Sequence, residues 1–166
     1  MNNPKVFFDL DDVLADFTGY VNNNLATDFS IGDDMGQENW SEIREYHQRI
    51  FLKLNLIDEV SFLMNKVRLK IGAENVRILT AIPVDPESKW QYASYDKVVW
   101  AHKNVPGVPV IFGPYAHHKW KHCNPGDHLI DDKISNCVDW ANNRGIAHIY
   151  RTPAGLHNYL TRHNLI

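Results

Sequence analysis

Two aspartates separated by one residue follow a short apolar run near the start of the chain. Asp9 and Asp11 come directly after Val6–Phe8, and the alternation of side chains along a strand directs both carboxylates toward the same region. Two neighbouring carboxylates repel each other unless a cation or a shared proton lies between them. Hard oxygen ligands of this kind suit Mg²⁺, which accepts few protein ligands together with waters and phosphate oxygens. The pair therefore indicates a metal site, with an exposed acidic turn or a helix cap as the structural alternative.

A second acidic pair and a threonine stand at the ends of other apolar runs. Asp131 and Asp132 follow His128–Ile130, so we expect them at the same edge of the sheet as Asp9. Thr80 also ends an apolar run, and its hydroxyl could donate a hydrogen bond to a phosphate oxygen there. Taken alone, the acidic pair would also serve as a helix N-cap, and the threonine would more often be structural.

Two lysines precede the second acidic pair. Lys119 and Lys121 each offer a point charge that could neutralise both a phosphate and crowded carboxylates, and a solvated lysine is the ordinary explanation for either one. The histidines near them have no spacing typical of a tetrahedral metal site, so solvent exposure or local hydrogen bonding is expected for His117, His118, His122 and His128.

The elements that must position these groups are five short apolar runs with helical patterns between them. Each run is four to six residues long and rich in Val, Ile, Leu or Phe, which is typical of strands buried on both faces. Strands that alternate with helices predict an α/β fold with a mostly parallel sheet, in which ligands bind at the carboxyl ends of the strands. The runs are Val6–Asp9, Val76–Thr80, Val108–Gly113, His128–Asp131 and Ala147–Tyr150.

Helix signals lie between and after these runs. Asp85 before Pro86 and Thr152 before Pro153 each predict an N-cap followed by proline at the first helical position. Gly145 is a candidate helix stop. It follows a helical stripe of apolar residues, namely Ile134, Cys137, Val138 and Ala141.

The segment between the first two predicted strands is longer than a single crossover helix requires. It carries two helical stripes of apolar residues and should form a small helical cap beside the sheet. We therefore predict one domain over 1–166, with a cap insertion at about 17–72 within a core of 1–16 and 73–166. The stripes are Trp40, Ile43, Ile50 and Leu54, then Val60, Leu63, Val67 and Ile71.

Composition sets further bounds on function. The chain has 166 residues, 44% of them hydrophobic, and a formal charge of −3, so it lacks the basic footprint of a nucleic-acid-binding or membrane-surface protein. The apolar stretch at the N-terminus is too short for a signal peptide or a membrane span. Cys123 and Cys137 are the two cysteines and show neither disulfide nor zinc spacing, which favours a reduced, cytoplasmic protein. The oligomeric state is left open, with a homodimer among the arrangements considered.

The order of these polar groups resembles that of the haloacid-dehalogenase superfamily. The resemblance is closest to its 5′-nucleotidase branch, which includes the 5′(3′)-deoxyribonucleotidases, and it spans nearly the whole chain. It implies a three-layer, Rossmann-like α/β core with a small helical cap inserted after the first strand. The shared features are Asp-Leu-Asp-Asp-Val-Leu-Ala-Asp-Phe at 9–17, Leu-Thr-Ala at 79–81, Asp-Lys-Val-Val-Trp at 96–100, and Lys121 six residues before Asp127 of Asp-His-Leu-Ile-Asp-Asp.

This resemblance implies a phosphomonoesterase and assigns roles to its residues. Asp9 would be the nucleophile and Asp11 the general acid and base, while Thr80 would bind the phosphate. The lysine of the family pattern would be Lys121, whose spacing to the second acidic pair is favoured over that of Lys119.

The same resemblance implies a Mg²⁺ ion. Its ligands would be Asp9, the backbone carbonyl of Asp11, and Asp132, with Asp131 nearby as a support or an alternative ligand. Asp12 is a departure, because many relatives have glycine there, and whether its carboxylate faces the metal is not evident from the sequence.

The substrate implied by the resemblance is a nucleoside 5′-monophosphate, with a deoxyribonucleotide preferred. In that branch the cap supplies aromatic residues that stack on a base, and Phe17 matches one such position, with Ala81 also beside the substrate. Trp40 and Phe51 lie in the predicted cap, where packing within the cap is the favoured explanation for each.

Proteins of other functional classes share some of these sequence features. A response-regulator receiver domain also combines an acidic pair, threonine and lysine on a parallel sheet. It would need an acceptor aspartate after its third strand, whereas the run Val108–Gly113 ends without one. A non-catalytic binding module is disfavoured because all four motifs are intact. A phosphatase for another small phosphomonoester remains an alternative, and no nucleic-acid polymer or membrane partner is expected.

Overall fold

Five parallel strands form one sheet in the computed structural model, which describes residues 4–83 and 90–166. The strands are β1 (Val6–Phe8), β2 (Val76–Thr80), β3 (Val110–Phe112), β4 (His128–Asp131) and β5 (Ile146–Ile149). Each corresponds to one of the predicted runs, so the predicted strands and their parallel arrangement are confirmed. The order across the sheet is β3-β2-β1-β4-β5.

Six α-helices surround this sheet within the described residues. They are α1 (Phe17–Leu25), α2 (Gly36–Tyr46), α3 (Asp58–Ile71), α4 (Ala93–Asn104), α5 (Ile134–Asn142) and α6 (Pro153–Arg162). Short 3-10 turns occur at Ile50–Leu52, Ala73–Asn75 and Ala116–His122. The architecture is α/β and consistent with a Rossmann-like fold. Every helix in 4–83 and 90–166 is too short or too polar to traverse a lipid bilayer.

The two faces of the sheet pack against separate apolar clusters, because successive side chains of a strand point to opposite faces. Val6 and Phe8 of β1 belong to the larger cluster, which also contains the buried face of α3. Phe7 belongs to the smaller cluster, where Trp140 of α5 meets its ring at 5.2 Å between centroids. Burial on both faces, predicted for all five strands, is wrong for β3 and β5, since both are edge strands with partly exposed side chains.

The predicted helix after β4 is confirmed, but its predicted apolar face is wrong. Ile134 and Val138 are 57% and 51% exposed, whereas Asn136, Cys137 and Trp140 are the buried residues of α5. The reason is the size of the tryptophan, whose ring fills the space beside the sheet and fixes the rotation of the helix.

Gly145 lies beyond the end of α5 rather than at its cap, since the helix ends at Asn142. Arg144 takes the left-handed backbone conformation, with φ of 67°. A β-carbon at position 145 would approach Trp140 Nε1 to 2.2 Å. Glycine is therefore required here by the close approach of the tryptophan ring.

The N-cap prediction at the last helix is confirmed. The hydroxyl of Thr152 accepts a hydrogen bond from Gly155 N at 3.1 Å, and Pro153 occupies the first helical position. The other predicted cap, Asp85 before Pro86, lies outside the described residues.

The long segment after β1 contains more elements than its two apolar stripes suggest. The first stripe is not one helix, because α2 ends at Tyr46 and Ile50 begins a separate 3-10 turn. His47 leaves the helical conformation, which redirects the chain so that Ile50 becomes fully buried. The second stripe is confirmed as α3, which contacts β2 and α6. Division of this segment into a cap and a core stays a prediction.

Candidate functional site

The strand order places several polar residues at one edge of the sheet. The chain runs outward from β1 through β2 to β3 and then returns to β4 on the other side of β1. Ligands of parallel sheets bind where the order reverses in this way, beyond the carboxyl ends of the strands. Phe8 is paired with Ile78 of β2 and with Ile130 of β4. The residues that follow these partners therefore converge on the same edge.

Three aspartates form a buried cluster at this edge. Asp9 follows β1, Asp131 ends β4 and Asp132 comes next, and each is no more than 6% exposed. One carboxylate oxygen from each lies within 4.8 Å of the others. Carboxylates at this separation are suitable ligands for a single divalent cation, so the cluster could hold a metal ion.

Lys119 is the lysine that joins this cluster. Its Nζ lies 2.8 Å from Asp9 Oδ1 and 2.7 Å from Asp131 Oδ2, and its side chain is 2% exposed. Burial alone would lower the pKa of this ammonium, but the charges of Asp131 and Asp9 outweigh burial and raise the pKa above its ordinary value. Lys119 therefore remains a cation between two carboxylates.

The expected place of Lys121 in the site is wrong. Its side chain is exposed, and its Nζ lies 6.0 Å from the ring centroid of Trp120. Both lysines belong to the 3-10 turn Ala116–His122, in which the side chains of residues two apart point about 120° apart around the axis. Only one of them can face the sheet edge, and that one is Lys119.

The cluster carries more negative charge than its lysine can neutralise. Burial raises the pKa of Asp9 to about 7, an effect that Lys119 opposes and that the charges of Asp131 and Asp11 reinforce. Burial, followed by the charges of Asp9 and Asp131, raises the pKa of Asp132 to about 8. A divalent cation would relieve this repulsion, so the residues present fit a metal ion.

The two members of the late acidic pair differ in how many protein donors they have. Asp131 accepts from Lys119, from Asn136 Nδ2 at 2.9 and 3.1 Å, and from Lys133 N at 2.9 Å. For Asp132, the ion-pair contact is Lys133 Nζ at 3.9 Å. Asp131 is thus held in place by the protein, whereas Asp132 keeps oxygen atoms for an ion.

A second buried lysine connects the predicted residues Asp11 and Thr80. Lys97 of α4 is 1% exposed and is in short contact with Asp11 Oδ2. Its Nζ also donates to Thr80 Oγ1 at 3.0 Å and to the carbonyl of Ala81 at 2.8 Å. The side chain of Lys97 therefore places an ammonium beside the hydroxyl and the second aspartate of the opening motif.

Lys97 was not among the predicted site residues. The spacing of Lys97 on α4 indicates that it shares the buried face of the helix. It lies four residues after Ala93 and three before Trp100, and both of these residues are buried. A lysine on the apolar face of a helix needs a buried partner, because an isolated ammonium is costly to remove from water. That pattern identifies it as a candidate for a polar site.

Asp12 does not act as a further free carboxylate. Its two oxygens accept hydrogen bonds from Thr18 N and Thr18 Oγ1, each at 2.6 Å. Its backbone takes the left-handed conformation, with φ of 60°, which glycine adopts freely and which aspartate tolerates better than most residues. Burial raises the pKa of Asp12 to about 6, while the Thr18 hydrogen bonds oppose the rise. This carboxylate is committed to the first turn of α1.

A cavity of about 760 Å³ opens beside the acidic cluster. Phe17 and Trp40 are among its lining residues, with ring centroids 5.5 Å apart and planes inclined by 27°. Phe51 is fully buried and stacks behind Phe17 at 6.1 Å, so it has the packing role expected for it. Trp40 also packs against the core, as expected, and in addition it lines the cavity together with Trp90.

The structure brings most of the predicted site residues together. The cavity is lined by Asp9, Asp11, Phe17, Ala81 and Asp132. Thr80 is fully buried behind this surface, with its hydroxyl on Lys97, and Asp131 is fully buried beside Lys119. His117 is exposed and stacks on Tyr115, with ring centroids 5.7 Å apart.

In the absence of metal, the protein should lose stability as the pH rises, and Asp132→Asn should remove much of that loss. The pKa of Asp132 is about 8 in the folded chain against an ordinary 3.8. The folded state therefore binds more protons between these values, and stability falls as the pH rises through them. At pH 8 in chelator, Asp132→Asn should melt at least about 2 °C above wild type, which corresponds to about 1 kcal/mol for a chain of this size.

Thermal unfolding followed by circular dichroism measures this effect. Asp28→Asn is the matched control, because Asp28 is exposed and should show no gain. Added Mg²⁺ should raise the melting temperature of wild type but not that of Asp132→Asn. A lower melting temperature for Asp132→Asn at pH 8 in chelator would contradict the repulsion described here.

Comparison with known proteins assigns no family, since no family model and no curated protein matches the chain.

Proposed function

We propose that this chain is a Mg²⁺-dependent phosphomonoesterase of the haloacid-dehalogenase type. The observation that carries the proposal is the setting of Asp9 at the switch point of the sheet. Its carboxylate lies 2.8 Å from Lys119 Nζ and within 4.8 Å of the carboxylate of Asp132. Leu10 N and Lys119 Nζ both bind Oδ1, at 2.7 and 2.8 Å, which leaves Oδ2 available to attack phosphorus. A carboxylate flanked by a cation and a metal site suits nucleophilic catalysis on a phosphate.

In the first step, Asp9 would attack the phosphorus of the substrate in line. The bond between phosphorus and the ester oxygen breaks, and an aspartyl phosphate forms. The leaving alkoxide takes a proton from the carboxylic acid of Asp11. Asp11 Oδ1 is buried and has no hydrogen-bond partner among the described residues, so it is available to carry that proton.

In the second step, Asp11 as a carboxylate would take a proton from water while the water oxygen attacks phosphorus. The bond between phosphorus and Asp9 then breaks, releasing inorganic phosphate and restoring Asp9 as a carboxylate and Asp11 as a carboxylic acid. Lys97 lines the cavity, where its ammonium could bind oxygens of the transferring group, and Thr80 behind it accepts a hydrogen bond from that ammonium. Lys119 offsets charge on Asp9. A bound Mg²⁺, held by Asp9 and Asp132 with Asp131 in support, would neutralise charge on the phosphoryl oxygens.

The aromatic residues that line the cavity support a nucleotide substrate. Trp40 and Trp90 line the cavity beside Phe17, which already stacks on Trp40 and Phe51. A nucleobase stacks well on aromatic side chains of this kind. We propose a nucleoside 5′-monophosphate, with a deoxyribonucleotide preferred, in keeping with the resemblance to the 5′-nucleotidase branch.

A panel of phosphomonoesters tests both the proposed phosphomonoesterase activity and the proposed nucleotide substrate. With Mg²⁺, the protein should release phosphate repeatedly from p-nitrophenyl phosphate and should show a higher kcat/KM for nucleoside 5′-monophosphates. Chelator should abolish both activities. Preference for sugar phosphates over every nucleotide would refute the nucleotide assignment, and a single turnover with a retained phosphoryl group would indicate a phosphoacceptor domain.

A further inference from the structure

A bidentate ion pair joins Arg49 to Asp96 at the start of α4. Arg49 Nε donates to Asp96 Oδ2 at 2.8 Å, and Nη2 donates to Oδ1 at 2.7 Å. Asp96 is fully buried, and both of its oxygens accept hydrogen bonds from Arg49. The guanidinium also lies 4.8 Å from the ring centroid of Tyr92. A planar fork of this kind fixes orientation as well as charge.

The chain segment that contains Arg49 also contacts the next residues of α4. Phe51, in the 3-10 turn after Arg49, lies under Lys97, with Nζ 4.4 Å from its ring centroid. Further along the helix, Trp100 Nε1 donates to the carbonyl of Leu54 at 2.8 Å. Residues 49–54 therefore hold one face of α4 at successive points around Lys97.

We propose that Arg49 is a positioning residue for Lys97. By binding Asp96, Arg49 fixes the first turn of α4 so that the Lys97 ammonium lies on Asp11 and Thr80. Without Arg49, Asp96 would be a buried carboxylate that has lost the two hydrogen bonds from the guanidinium. It lies next to Lys97 in sequence and would attract that ammonium away from Asp11 and Thr80. The inference rests on the proposed function, in which Lys97 binds the transferring phosphoryl group.

The position of Lys97 can be followed without any assay of activity. Lys97 is 1% exposed, so reductive methylation, quantified by peptide mass spectrometry, should modify it slowly in the wild-type protein. In Arg49→Gln, the modification rate of Lys97 should rise at least about tenfold, because the ammonium must leave its partners to react.

Two further variants separate positioning from general loss of structure. Arg49→Gln with Asp96→Asn removes both charges, so it avoids an unpaired buried carboxylate and keeps the protein folded if the single variant is not. Its Lys97 should still be modified faster than in wild type, because two amides do not reproduce the guanidinium fork. Arg68→Gln is the matched control, since Arg68 bonds to Asn65 and the carbonyl of Pro106, remote from Lys97 in its contacts.

Kinetics on p-nitrophenyl phosphate with Mg²⁺ then test whether this placement serves the reaction. Arg49→Gln should lower kcat by about 10- to 100-fold, as expected of a misplaced catalytic group, with a smaller change in KM. Arg49→Lys should restore part of the loss. In a Lys97→Met background, Arg49→Gln should lower kcat by no more than about twofold, because residues that act through one another are not additive.

Two outcomes would overturn the inference. One is an unchanged modification rate of Lys97 in folded Arg49→Gln protein, and the other is multiplication of the Arg49→Gln and Lys97→Met effects in the double variant. If wild type hydrolyses no phosphomonoester, the proposed function fails, whereas the modification rates still decide whether Arg49 holds Lys97 in place.

Discussion

Asp9→Asn is expected to lower turnover of p-nitrophenyl phosphate by at least about 10⁴-fold, the scale seen when a catalytic nucleophile is removed. An amide oxygen does not attack phosphorus at a useful rate, so no aspartyl phosphate can form. The fold should persist, because the asparagine oxygen still accepts from Leu10 N and Lys119 Nζ. Loss of one negative charge also reduces repulsion with Asp131 and Asp11.

Asp12→Asn is the matched control for this variant. Asp12 lies in the same loop and is 6% exposed, as is Asp9, but its oxygens bind Thr18. Asparagine tolerates the left-handed backbone and retains an acceptor for Thr18 N, so turnover should stay within about fivefold of wild type, as expected of a cap change worth about 1 kcal/mol. Full activity of Asp9→Asn, with mass spectrometry excluding deamidation to aspartate, would rule out Asp9 as the nucleophile.

The sheet and its functional edge could be predicted because both depend on local patterns. Short apolar runs bounded by polar residues identify buried strands, and parallel strands place their carboxyl ends together. Asp9, Thr80 and Asp131 each stand at such an end, so their convergence follows from the sequence pattern once the sheet is accepted. The acidic cluster at this edge is the part of the predicted metal site that the structure supports.

Other features of the site depend on rotations that residue spacing does not determine. The selection of Lys119 over Lys121 depends on the phase of a 3-10 turn, which two lysines separated by one residue leave open. Similarly, α5 buries the face containing Trp140 rather than its more regular apolar stripe. In both cases, tertiary packing determines which side of an element faces inward.

The contribution of Lys97 was harder to predict because it comes from a separate helix. Its partners, Asp11 and Thr80, follow β1 and β2, whereas Lys97 approaches from α4. Its place depends on how α4 packs against the 3-10 turn after Arg49, through the Asp96 ion pair. Arg49 and Asp96 are 47 positions apart, and a contact at that separation produces no pattern in the local sequence. The feature that indicates a role for Lys97 is the presence of a lysine on the apolar face of a helix.

Lys119→Met is expected to lower kcat by about 10²- to 10³-fold, a typical cost of removing one electrostatic contact to a reacting group. Lys121→Met, two residues away on the same 3-10 turn, should stay within about twofold of wild type, because surface changes rarely alter a site. The reason for the difference is contact: Lys119 Nζ binds Asp9 and Asp131, whereas Lys121 is exposed. Steady-state kinetics with Mg²⁺ on both variants measures this difference in kcat.

The free energy of unfolding is a second readout of the Lys119 contacts. Lys119→Met leaves buried carboxylates without their cation and should lower this free energy by roughly 3–5 kcal/mol in chelator. Mg²⁺ should recover part of that loss by binding the same oxygens. A large defect in Lys121→Met with normal turnover in Lys119→Met would contradict this assignment and restore the lysine that residue spacing favours.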